Sequence, residues 1–208
     1  MYTLYYSPGA CSLAVQVKLQ ATGVAYKPEL VDLKKGNHLT PDFAKVNPVQ
    51  RVPVLEFSDH YLTEAMAILL WLEQHPQGLL PGNPVLHARV LQKMNWLSNS
   101  LHQDFAALWR PQRFTENSDI QAQISHAAMQ RLIGSFECLE RELGQFTYWL
   151  DDTLTLADYY LLPFLRWGHA AVEQVQHFHE LTRYVERLGK LPEVISALEV
   201  ERISLLNI

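Results

Sequence analysis

The chain is poor in cysteine. Its 208 residues hold two, Cys11 and Cys138, in segments of different character and with no second thiol near either. That excludes a disulfide scaffold, and the Ser12-Leu13 that follow Cys11 exclude a Cys-x-x-Cys redox pair. Concentrated positive charge is also missing. Its 17 Lys and Arg are outnumbered by 22 Asp and Glu, for a formal charge of -5, and no basic stretch offers a footprint for nucleic acid or an acidic membrane surface. No apolar run nears the roughly 20 residues that span a bilayer. Met1-Tyr2-Thr3-Leu4 lacks the basic start and apolar stretch of a secretory leader. The expectation is a cytoplasmic protein with neither nucleic acid nor membrane as partner. Repeats and low-complexity segments are absent. His177 and His179, two apart, cannot face one ion from one helix, so no metal is expected.

What is present changes character along the chain. Residues 2-6 read as a strand, 12-22 as a helix stopped by Gly23, 26-33 as a strand, 52-57 as another, and 64-75 as a helix. This is a βαβ unit with more strand and a helix behind it. Pro76, Gly78, Pro81, Gly82 and Pro84 then crowd a stretch in which neither helix nor strand propagates, which places a domain boundary there, with domains at 1-77 and 85-208. Beyond it the apolar period is helical throughout. Leu86, Val90, Met94, Leu97, Leu101, Phe105 and Leu108 mark one long helix, and Ile120 to Leu143 a second. Further helices fit 156-170 and 181-200. Thr155-Leu156-Ala157-Asp158 has the form of a capping box, which gives Asp158 a structural role.

Chemistry concentrates at Ser7-Pro8-Gly9-Ala10-Cys11-Ser12, where a turn delivers a thiol to the start of a helix. The positive end of the helix dipole favours a thiolate, and lowering a thiol pKa by about one needs only ~1.4 kcal/mol. The alternative is a small buried apolar residue. Tyr6 and Ser12 bring hydroxyls to the same spot, although Tyr6 also reads as an ordinary strand residue. Val52-Pro53 interrupts a strand with proline, so it is either a plain edge or a cis bond that turns the Val52 backbone outward to pair with an extended peptide. Glu64 and Ala65 open a helix whose free N-H groups suit a carboxylate, while Glu64 suits an ammonium. Asn95 and His102, seven apart on the long helix, share a face with Ser98 and Asn99 as a polar stripe.

Tyr-x-Pro-Gly-Ala-Cys-Ser at the start, Asn47-Pro48 ahead of Arg51-Val52-Pro53-Val54-Leu55, Leu62-Thr63-Glu64-Ala65 with Ala67-Ile68, and the late Thr-x-x-Asp box follow one another in a telling order. Over nearly the whole chain they resemble the bacterial, beta-like glutathione S-transferases. The resemblance implies an α/β thioredoxin-like N-terminal domain, an all-α helical C-terminal domain and a homodimer. It implies glutathione as co-substrate, joined to small apolar electrophiles. By the same resemblance Cys11 sits beside the glutathione sulfur, and Val52, before cis-Pro53, pairs with the tripeptide backbone. Glu64 and Ala65 hold its γ-glutamyl end, and Lys35, or its neighbour Lys34, reaches the glycine carboxylate. Asn95 and His102 enter the cleft from the long helix. Tyr160 and Trp167, with Trp109, line the second-substrate pocket. Activation of the glutathione thiol falls to Cys11, Ser12 or Tyr6, and a Cys11 mixed disulfide would add thiol-transfer or peroxidase activity. The rivals are a non-catalytic carrier or protein-binding member of the fold and a glutathione-dependent isomerase.

Overall fold

The computed structural model of the protein describes residues 1-76 and 78-206; Gln77, Asn207 and Ile208, at the limits of the two expected domains, lie outside them. Strand β1 (Tyr2–Tyr6), helix α1 (Ser12–Thr22) and strand β2 (Tyr26–Leu30) form the expected βαβ unit, with β2 parallel to β1. Helix α1 ends at Gly23, whose φ of 67° is a left-handed cap that a residue with a Cβ reaches only at a cost of roughly 1 kcal/mol. Helix α2 (Pro41–Val46) then leads to β3 (Val54–Phe57) and β4 (His60–Thr63). The sheet runs β2-β1-β3-β4, with β3 antiparallel to both of its neighbours. Pro28 is tolerated in β2 because that strand is an edge.

The sequence places strand over 26-33, but β2 stops at Leu30. The Asp32 carboxylate accepts from the Lys34 and Lys35 N-H groups at 3.0 and 3.1 Å and curls the chain into a turn. Strand β4 is an addition to the expected elements. Ser58 and Asp59 adopt φ of 46° and 64°, the left-handed pair of a tight hairpin, and fold β3 back on itself.

Helix α3 (Ala65–Trp71) closes this half. After the proline-rich stretch come α4 (Pro84–Trp96), α5 (His102–Trp109), α6 (Ser118–Leu143), α7 (Leu156–Ala171), α8 (His179–Leu188) and α9 (Pro192–Glu201). Two helices read as continuous are interrupted. The run 181-200 breaks at Gly189-Lys190-Leu191, and Pro192 opens α9, where its missing N-H is harmless. The run 86-108 contains a wide turn over Leu97–Leu101, in which the His102 N-H bonds Leu97 O, five residues back.

Helix α1 is the hub. Every residue from Ser12 to Leu19 is buried, with β1 on one side and α7 and α9 on another. A helix enclosed this way reads apolar all round. Its exceptions are Ser12, Gln16 and Lys18, of which Lys18 pairs with Glu73, which also accepts the Leu79 and Leu80 N-H groups at 2.6 and 2.8 Å. That ion pair ties α1 to the chain leaving the sheet half. The capping box forms at the start of α7. Buried Asp158 accepts from Thr155 N-H and hydroxyl, each at 2.7 Å, from Trp149 N-H at 2.9 Å, and from the Tyr184 hydroxyl.

Candidate functional site

The turn Ser7 to Cys11 is held from both sides. Ser12 Oγ accepts from Ser7 N-H at 3.2 Å and donates to Ser7 O at 3.1 Å, closing the loop on itself. Gly9, at φ 69°, donates its N-H to Glu201 Oε2 at 2.7 Å, and its carbonyl accepts from Trp167 Nε1 at 2.7 Å. A Cβ at residue 9 would displace the Arg166 guanidinium, 2.4 Å away, and the φ of 69° strains any residue that carries one. The α7 and α9 helices therefore fix the loop that presents Cys11.

Cys11 stands at the mouth of α1 with its sulfur 3.8 Å from His102 Nδ1 on α5. It is 6 % exposed. The thiolate expected from the helix dipole is not what this environment favours. Burial first, and Glu64 second, push the thiol up to about 12, against which its own backbone N-H acts weakly. His102 moves the opposite way, to about 4, through burial and then the charges of Arg51, Arg110 and Arg113. At neutral pH the pair is a neutral thiol beside a neutral imidazole. Tyr160, buried on α7, feels both Cys11 and Glu64, which brings α7 and the α3 N-terminus to the same place.

The Val52-Pro53 bond is cis, and Val52 precedes the ladder, which begins at Val54. Glu64 caps α3 at φ 68°, a conformation costing a residue with a side chain on the order of 1 kcal/mol. Its carbonyl accepts Ile68 N-H, and the Ala65 peptide begins the helix behind it. Strain of this kind persists where a backbone must face a ligand.

A wall of rings rises beside His102. Its ring centroid lies 5.9 Å from Phe164 and 5.5 Å from Trp167; Trp167 in turn meets Phe105 at 5.4 Å and Trp109 at 5.5 Å, and Tyr160 meets Phe164 at 5.6 Å. Trp109 thus touches Trp167 directly and Tyr160 joins them through Phe164, with Phe105 against both tryptophans; neither phenylalanine is among the expected pocket residues. The helical spacing Tyr160-Phe164-Trp167 carried that signal.

Several expected residues lie elsewhere. The Ser12 hydroxyl is committed to Ser7. Tyr6 is buried, and the charges it feels are Glu201 and Arg202 rather than the Cys11 cluster. Lys35 is exposed, its ammonium 3.6 Å from Asp32. Asn95 does not share a face with His102. The i to i+5 turn inserts one residue between them, and since each residue advances a helix by about 100°, everything beyond swings by that much. Asn95 is exposed and accepts from Asn99 at 2.7 Å.

Comparison with known proteins agrees with this architecture. Residues 1-74 match the glutathione S-transferase N-terminal domain and residues 100-192 the C-terminal domain. The glutathione S-transferase GstA of Escherichia coli O157:H7 is 32% identical over 205 residues, covering 95% of this chain and 98% of that protein. Among solved structures, a glutathione transferase homologue from Sulfitobacter with bound glutathione superimposes with a TM-score of 0.90 at 25% identity, over 96% of this chain and 98% of its own. The beta-class enzyme of Sphingomonas chungbukensis gives 0.82 at 28% identity, over 97% of this chain and all of that one. The chain belongs to the glutathione S-transferase family.

Proposed function

We propose that this chain binds glutathione along the cis Val52-Pro53 edge and joins its sulfur to small apolar electrophiles. The observation that carries the reading is the meeting of Cys11, His102, Glu64 and Tyr160 under a wall of rings, with Glu64 following Thr63, which pairs with Val54 just past that edge. The Val52 backbone takes the extended peptide, and the α3 N-terminus with Glu64 takes its α-carboxylate and ammonium. The glycine carboxylate falls to Lys35 once its exposed side chain turns from Asp32 toward the tripeptide. With a thiol held neutral, Cys11 donates its S-H to the incoming glutathione sulfur anion. In the reaction the thiol proton of glutathione passes to solvent, its sulfur forms the carbon-sulfur bond, and the carbon-halogen bond breaks as the halide leaves. The family's dimer completes the assembly.

The neutral thiol favours conjugation over a cycle run by a Cys11 disulfide. The test is conjugation of a chlorinated nitroaromatic by the native chain and by Cys11→Ala, with thiol-disulfide exchange measured alongside. Turnover falling about fivefold in the variant is expected from the loss of one weak donor worth ~1 kcal/mol. Failure of the native chain to turn over any halide, or to be retained on immobilised glutathione, would overturn the reading in favour of a carrier.

A further inference from the structure

Three arginines act on His102 through their charge without contributing to the chemistry above. Arg51 immediately precedes the cis Val52-Pro53 bond, its carbonyl tied to Asn47 Nδ2 at 2.8 Å. Arg110 ends α5, its N-H still bonded to Ala106 O at 2.9 Å, so His102, Ala106 and Arg110 stand in one row at steps of four. The row spans about 12 Å along the axis. Arg113 follows one short turn later, its N-H on Arg110 O at 3.1 Å. Among the described residues none of the three has an acidic partner within ion-pair distance. They also gather with one another, since Arg51 and Arg110 both bear on Arg113. In a chain of net charge -5, three uncompensated guanidiniums at one rim are a local inversion of sign.

A second observation points to a ligand in the same place. His38, on the turn after β2, feels Arg110 and Arg113, and its Nδ1 is buried without a hydrogen-bond partner. A buried ring nitrogen on a half-buried histidine that feels two guanidiniums is a polar group left for something to satisfy. Trp109, adjoining Arg110, carries the ring wall up to this rim, packed on Phe105 at 4.9 Å and on Trp167.

Resting on the conjugation reading, we infer that among its electrophiles the chain prefers those whose apolar aromatic body also carries a carboxylate, the ring on Trp109 and the anionic end held by Arg110 and Arg113 with Arg51. Guanidinium forks suit a planar carboxylate, and the rings beneath them suit the aromatic body. The place of Arg110 and Arg113 just beyond Trp109, at the end of the row that begins at His102, assigns that pair to this substrate rather than to glutathione's glycine.

The experiment compares chlorodinitrobenzoate with its uncharged methyl ester, in the native chain and in the double variant Arg110→Gln, Arg113→Gln, with each rate corrected for the uncatalysed reaction. The native ratio of kcat/KM, acid over ester, is expected to exceed one, to fall at least tenfold in the variant through KM, and to shrink with added salt because these side chains are exposed. An unchanged ratio overturns the proposal. So does a rise in the variant's KM for glutathione that vanishes when its glycine carboxylate is esterified, which would give the arginines to glutathione. If neither compound is turned over, quenching of tryptophan fluorescence by nitrobenzoate against nitrobenzene reads the site directly. Binding of the acid that weakens tenfold in the variant upholds the anion site and fails only the conjugation reading; equal binding of both fails the site.

Discussion

Glu201 is the deepest acid that touches the Cys11 loop, and its titration gives a quantitative test. It is 3 % exposed, with one carboxylate oxygen on Gly9 N-H and the other buried without a partner. Burial is the largest influence and pushes it from an ordinary 4.5 up to about 8, opposed by the Gly9 N-H and the Arg166 guanidinium; Tyr6, Tyr26 and Arg202 complete its surroundings. Between those two values the folded chain holds a proton that the unfolded chain has released. The stabilisation from this group is therefore complete below 4.5 and is lost as pH rises through about 8. From about pH 6 to about pH 8 the loss is ~2 kcal/mol, since one proton's difference between the two states changes stability by about 1.4 kcal/mol for each pH unit. Glu201→Gln keeps an acceptor for Gly9 and removes the titration, so urea midpoints at fixed protein concentration should show the variant gaining ~2 kcal/mol on the native chain over that interval. The test reads the slope, not the offset, so a constant cost from the new amide does not affect it. Parallel curves from pH 6 to pH 8 would mean that Arg166 keeps Glu201 ionised throughout, and would refute the reasoning.

Two other expectations follow from buried groups. Cys11, held near 12, should alkylate with iodoacetamide about a thousandfold more slowly than the same cysteine in the unfolded chain, as read by peptide mass; equal rates would mean an accessible thiolate. Asp158→Ala should cost about 3 kcal/mol or more by urea unfolding, because it strands the Thr155 and Trp149 N-H groups and the Tyr184 hydroxyl in the interior. Recovery of most of that loss in Asp158→Asn would show that hydrogen bonding, not charge, is what Asp158 supplies.

Features encoded locally were legible in the sequence. Gly23 as a helix stop and Thr155-Leu156-Ala157-Asp158 as a capping box depend on residues within four positions of each other. The proline at 53 narrowed its bond to two readings, of which the cis form is present. The hairpin turn Ser58-Asp59 is not legible in the sequence, because neither residue is glycine and neither flanking strand alternates between buried and exposed positions. Features made by distant chain were not legible. The partner of Gly9 lies 192 residues away on α9, and the arginines at 51, 110 and 113 form no motif in one dimension. The face of Asn95 depended on one extra residue in a helical turn, and apolar period alone does not detect such an insertion when Leu97 and Leu101 stay buried on either side of it.

The thiol shows how two correct local arguments combine into the wrong sign. A helix N-terminus contributes at most ~2 kcal/mol toward an anion in favourable geometry. Moving a thiol from 9 to about 12 is a net ~4 kcal/mol against the anion, so burial outweighs the dipole by a wide margin. The burying side chains come from α5 and α7, more than 90 residues downstream. Were those helices withdrawn, the dipole alone would govern and the thiolate would return. A sulfur anion brought by a substrate pays the same desolvation, but it is offset by what a resident thiolate would lack, the Cys11 S-H as a donor beside the α1 N-terminus. The same desolvation that keeps Cys11 protonated strengthens each of those contacts to an incoming anion. A resident thiol too weakly acidic to be the nucleophile is thereby suited to be the donor that steadies another.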